Sequence, residues 1–149
     1  MAIWQYTFLV VPQHSVSSKS FEPQYDEDGL FEDNVFWSSI SASTSLFEDF
    51  EKILPKGKSW SKDLLIFGNE ESNCLEVYRE NDQVASVSLR VDYSCDYEVF
   101  LREVIEFFHS KKLAVIDENH QFLEVSYPSI KNAIDESPLN KRYRALSSK

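Results

Sequence analysis

Residues 96–112 read DYEVFLREVIEFFHSKK, from Asp96 to Lys112. Tyr97, Phe100, Leu101, Val104, Ile105 and Phe108 recur at i, i+3, i+4 and i+7, so one stripe of a helix is apolar. Arg102, Glu103, Glu106 and His109 fall on the opposite face. Ser94 can cap the first turn, Asp96 and Glu98 suit its positive end, and Lys111 and Lys112 suit the negative end. A helix so one-sided has to lie on a large apolar surface, and the segments on either side are rich in β-formers.

The nearest such surface lies just upstream. Asn73 to Glu80 and Val84 to Tyr93 read as a hairpin, and its register follows from side-chain alternation. A three-residue turn, Asn81-Asp82-Gln83, sets Val77 against Val87 and Leu75 against Leu89. A two-residue turn would oppose Val77 to Ser86 and mix the faces. The three-residue turn is therefore expected, with Leu75, Val77, Ala85, Val87, Leu89 and Val91 inward and Glu76, Tyr78, Glu80, Ser86, Ser88, Arg90 and Asp92 on a solvated face.

Downstream, Leu113 to Ile116 and Gln121 to Val125 form a second hairpin across Asp117 to His120. Pro128 opens a helix with Ile130, Ala133 and Ile134 inward, and Ser137-Pro138 starts a last short helix through Tyr143. Upstream, Asp63 to Phe67 is a strand, and Ser45 and Glu48 make a capping-box pair for a short helix that Pro55 and Gly57 stop. Ile3 to Val11 is a strand ended by Pro12. The expected class is α+β: a mainly antiparallel sheet of about six strands, a long amphipathic helix across one face, and short helices at the N-terminal loop and the C-terminus.

At 149 residues the chain reads as one domain, 1–149, with a long acidic loop over 13–42. Met1 to Pro12 lacks the basic start of a signal peptide, and no apolar run reaches the length of a membrane span. With two cysteines, a cytoplasmic location and no membrane association are expected. The net charge of −10 disfavours direct binding of a nucleic-acid phosphate backbone. The charge is uneven. Ser20 to Glu51 holds nine acids and no Lys or Arg, whereas Ser137 to Lys149 carries Lys141, Arg142, Arg144 and Lys149 and no acid.

Chemistry-bearing motifs are sparse. The hairpin register keeps Cys74 and Cys95 apart, so two free thiols are expected, and Asp92 and Asp96 oppose activation of Cys95. Asp26, Glu27, Asp28 and Gly29 do not follow EF-hand spacing, and His14, His109 and His120 have no zinc spacing, so no metal or cofactor is expected. With three glycines there is no phosphate loop, and neither G-x-S-x-G nor H-E-x-x-H occurs. Glu76, Tyr78, Arg90 and Asp92 could make a polar site, but cross-strand pairing on a solvated sheet accounts for the same residues.

The succession Lys58-Ser59-Trp60-Ser61, Ile66-Phe67-Gly68, Asn73-Cys74-Leu75-Glu76-Val77 and Leu89-Arg90-Val91-Asp92 before the amphipathic helix resembles small uncharacterised bacterial proteins. These are acidic single-domain proteins of the kind carried on mobile gene cassettes or beside toxin genes. The resemblance spans Ile53 to Tyr143 and implies no reaction and no functional residue.

Two functions fit these observations. In the first, the chain is a non-enzymatic acidic binding module, an inhibitor, immunity-type protein or adaptor, that recognises a basic partner. Its contact residues are expected to be Glu22, Asp26, Glu27, Asp28, Phe31, Glu32, Asp33 and Trp37, with Phe36 as a further anchor. In the second, a small molecule is bound, or turned over, in a cleft between the sheet and the loop over 31–37, and a cavity lined by Trp37 and Trp60 would mark it. An open edge on the first strand or the second hairpin would also permit a homodimer.

Overall fold

A computed structural model describes residues 4–14, 27, 34–38 and 40–147 of the chain. Six strands form one antiparallel sheet: β1 Gln5–Pro12, β2 Leu64–Gly68, β3 Cys74–Glu80, β4 Gln83–Asp92, β5 Leu113–Ile116 and β6 Phe122–Leu123. Their order across the sheet is β2-β3-β4-β1-β5-β6. The helices are α1 Asn34–Ser38, a 3-10 helix Thr44–Lys52, α2 Glu98–Ser110, α3 Tyr127–Asp135 and α4 Pro138–Ser147. The fold is α+β, as the helix and hairpin patterns require.

The register sorts the side chains onto two faces. Tyr6 pairs with Val91, Phe8 with Leu89, Leu75 with Leu89, Val77 with Val87, and Val10 with Val115, so the apolar residues of these four strands share one face. Leu101, Val104, Phe107 and Phe108 of α2 and Ile130 and Ile134 of α3 close over that face, and Phe100 packs against the same core. Phe107 belongs to the stripe as well: it packs edge-on against Phe50, with ring centroids 5.1 Å apart.

The expected hairpin register is observed, but the turn differs. Glu80 pairs with Gln83 across Asn81-Asp82, and both turn residues have positive φ, 54° and 62°. That is the two-residue primed turn whose twist suits a hairpin. The odd residue is absorbed further along, where Tyr78 pairs with Ser86 and Arg79 with Val84, leaving Ala85 as a bulge. Val84 consequently takes the buried position expected for Ala85.

The caps are also displaced. Ser43, not Ser45, caps the short helix, accepting from the Ser45 N–H at 3.3 Å. Ser94 does not cap α2; its N–H donates to Asp92 Oδ1 at 2.9 Å, and Asp96 Oδ1 accepts from the Glu98 N–H at 3.1 Å. Ser126 caps α3, and Pro128 sits in its first turn.

β1 lies between β4 and β5, so it offers no open edge. At one margin of the sheet, Pro55 to Gly57 straps β2. Gly57 N–H donates to Ile66 C=O and Gly68 N–H to Pro55 C=O, both at 2.7 Å. A Cβ on Gly57 would meet the Gly68 oxygen at 2.4 Å, so the strap requires glycine there. At the other margin β6 has only two residues, which blunts that edge. Among the described residues no helix is long and apolar enough to cross a membrane.

Candidate functional site

Of the expected contact residues, Glu22, Asp26, Asp28, Phe31, Glu32 and Asp33 lie outside the described residues, while Glu27 is exposed. Trp37 is fully buried. Beyond the Leu9–Ser88 pair β1 no longer pairs with β4, and α1 packs against both strands there. Trp37 turns into the main core, with its ring centroid 5.9 Å from that of Phe47 and its indole N–H donating to Val10 C=O at 2.9 Å. The preceding residue, Phe36, packs with Val11, Ala114 and Ile116 and meets Phe122 edge-on at 6.1 Å. Trp37 is therefore a core residue rather than a surface anchor, because sheet and helix have already taken both its ring and its polar atom.

The second sheet face carries the polar set Gln5, Glu76, Tyr78, Arg90 and Asp92. It is not a solvated face as expected: Gln5, Glu76 and Asp92 are 1%, 2% and 6% exposed. The geometry shows what they do. Gln5 Nε2 donates to the carbonyls of Glu70 and Ser72 at 2.8 and 2.7 Å, and Arg90 Nη1 donates to Glu70 C=O at 3.2 Å. Asp92 accepts from the Ser72 hydroxyl at 3.1 Å, and its N–H donates to Asn73 Oδ1 at 2.8 Å. These bonds fasten the turn between β2 and β3.

Arg90 Nη2 lies 2.7 Å from Glu76 Oε1, an ion pair without hydrogen-bond alignment at that oxygen, and Tyr78 Oη donates to Oε2 at 3.4 Å. Burial, then the Glu76 carboxylate, pushes the Cys74 thiol up to about 12, so it is inert. The set is a structural clamp.

Titratable groups meet a cavity elsewhere. A space of about 200 Å³ lies between the β5–β6 turn and the junction of α3 and α4, bordered by Tyr6, Asp117, Glu118, Asn132 and Glu136 among others. The Glu118 N–H donates to Tyr6 Oη at 3.0 Å, and Glu118 Oε2 accepts from the Thr7 N–H at 3.1 Å. Burial raises Tyr6 to about 12 and also raises Glu118, whose bond from Thr7 opposes the shift. No sequence signal announces this cavity, because Tyr6 and Glu118 are 112 residues apart and meet only through the sheet.

Trp37 and Trp60 are absent from the linings of four cavities bordered by described residues. Cys74 is buried and Cys95 exposed, and both are free thiols. Partial burial, then Asp92 and Asp96, raises the Cys95 thiol, opposite to the shift a nucleophile needs. Among the described residues no group of three or more His, Cys, Asp or Glu could hold a metal.

The acids of the 3-10 helix, Glu48, Asp49 and Glu51, are all exposed, and Asp49 pairs with Lys111 at 3.3 Å. Asp49 borders an open groove with Glu103 and Glu106 of α2. Lys52 and Lys111 line the same groove, so it is mixed in charge. No family model matches the chain, and no match was found among curated proteins or solved structures.

Proposed function

We propose that this chain is a non-enzymatic acidic protein-binding module, acting as an inhibitor, an immunity-type protein or an adaptor toward a basic partner. The observation that carries the reading is the charge of Ser20 to Glu51: nine acids with no Lys or Arg among them. The four of these acids that are described, Glu27, Glu48, Asp49 and Glu51, are exposed. Such a field raises the association rate of a cationic partner more than it deepens affinity. With Trp37 spent on the core, Phe31 is the aromatic contact left in the proposed surface, beside Glu22, Asp26, Asp28, Glu32 and Asp33. The alternative is a small molecule in a cleft at the loop over 31–37; Trp37, which would have marked it, is fully buried in the core.

The test is capture on the immobilised full chain at low salt, followed by elution with rising salt and identification of what leaves. The expected catch is a polypeptide with a strongly basic face, recovered in lower yield on a chain carrying Glu48→Gln, Asp49→Asn and Glu51→Gln. A partner that is neutral or acidic, and held equally at high salt, would contradict the proposal.

A further inference from the structure

The chain has three tryptophans, and they are used differently. Trp37 is buried, Trp4 donates its indole N–H to Glu71 C=O at 3.1 Å, and Trp60 is 67% exposed. Among the described residues the Trp60 indole N–H has no partner. Along the chain it is flanked by lysines: Lys52, Lys56, Lys58 and Lys62 are exposed, and no acid falls between Lys52 and Lys62. The six ion pairs among the described residues use Arg90, Arg102, Lys111, Lys131, Lys141 and Arg144, and so leave these four lysines out.

The loop is also held in shape. Ser59 Oγ donates to Ser61 C=O at 2.6 Å and accepts from the Ser61 N–H at 3.2 Å, and Ser61 Oγ accepts from the Asp63 N–H at 3.2 Å. Gly57 ties the loop's start to β2, and Arg79 Nη2 donates to Lys62 C=O at its end. A tryptophan displayed on a turn that is already ordered loses little conformational entropy when covered, and tryptophan is a preferred anchor residue at interfaces.

We propose that the loop Lys56 to Lys62 is a second docking site, distinct from the acidic surface, in which Trp60 and its flanking lysines bind a short Asp/Glu-rich peptide segment of a partner protein. The indole covers an apolar side chain of that segment, and Lys56, Lys58 and Lys62 meet its carboxylates. A short peptide is favoured over a nucleic acid or an anionic membrane by charge. The body of the chain carries −10 and repels an extended polyanion running past it, whereas a peptide can stay within the cationic patch. A chain with both sites would bridge a basic protein and an acidic one.

The test is selection of a random dodecapeptide library on the full chain, with affinities of the enriched peptides measured by fluorescence anisotropy. Enrichment in Asp and Glu around one large apolar residue is expected. Trp60→Ala should weaken those peptides by at least about thirtyfold. Because Trp60 is exposed, the variant should melt with the parent. Lys58→Glu with Lys62→Glu gives an independent readout, expected to weaken binding and flatten its salt dependence. The proposal is overturned by a library without acidic enrichment, by peptides that bind both variants as tightly as the parent, or by a Trp60-dependent affinity for oligothymidylate or phosphatidylserine vesicles instead.

Discussion

Replacing Trp37 with Ala should be among the most damaging single changes in this protein. The side chain is fully buried, packs at a tilt against Phe47, and satisfies the Val10 carbonyl at 2.9 Å. Truncating a buried aromatic ring to Ala costs about 3–5 kcal/mol through lost transfer energy and the cavity left behind. Leaving the Val10 carbonyl without its donor adds about 1 kcal/mol. The sum, about 4–6 kcal/mol, is a large part of the roughly 5–15 kcal/mol that holds a domain together. Trp37→Phe keeps most of the apolar volume but loses the N–H, and should cost about 1–3 kcal/mol. Urea unfolding followed by far-UV ellipticity is the assay, since the change removes a fluorophore. An Ala variant within about 1 kcal/mol of the parent, at unchanged slope, would refute the packing of α1 against β1 and β4.

The clamp on the second sheet face makes a coupled prediction. Arg90→Met leaves the Glu76 carboxylate buried and unpaired, and should cost about 3 kcal/mol, the lower end for a buried pair because Arg90 is 23% exposed. Arg90→Met combined with Glu76→Leu should be more stable than Arg90→Met alone; urea midpoints that show it equally unstable would count against the clamp. A pH prediction follows from Tyr6, whose phenol is held up to about 12 by burial in the folded state against an ordinary value of 10.0. The folded chain then binds this proton more tightly than the unfolded one, so the contribution is complete below pH 10 and lost as pH rises from 10 toward 12. Thermal midpoints of the parent should fall relative to Tyr6→Phe across that window, and parallel curves would show that Tyr6 is solvated.

Much of the architecture was legible because it rests on local periodicity. The stripe of α2 and the alternation of β3 and β4 specify which faces meet, and the pairs Val77–Val87 and Leu75–Leu89 follow from them. The turn was misread for an instructive reason: apolar matching constrains the strand centres, not the turn. A two-residue turn with a bulge at Ala85 and a three-residue turn without one give the same central pairs. Whether Glu76 and Asp92 are solvated was not legible, since alternation says which face a residue is on and not what covers that face. Trp37 shows the same limit. An aromatic within an acidic stretch suits a surface anchor or a core wedge equally well, and the gap beyond Leu9–Ser88 that it fills exists only in three dimensions. The meeting of Tyr6 with Glu118 was likewise invisible along the chain.

The proposal that the acidic stretch recruits a basic partner is tested most directly by association kinetics. With the captured partner, stopped-flow rates would be measured for the parent and for Asp26→Asn, Glu27→Gln, Asp28→Asn across a range of ionic strength. The account predicts a slower association rate for the variant at low salt, a flatter dependence on salt, and convergence with the parent at high salt, where screening leaves little of the field. Equal rates and equal salt dependence would contradict it and show that these carboxylates do no more than solvate their segment.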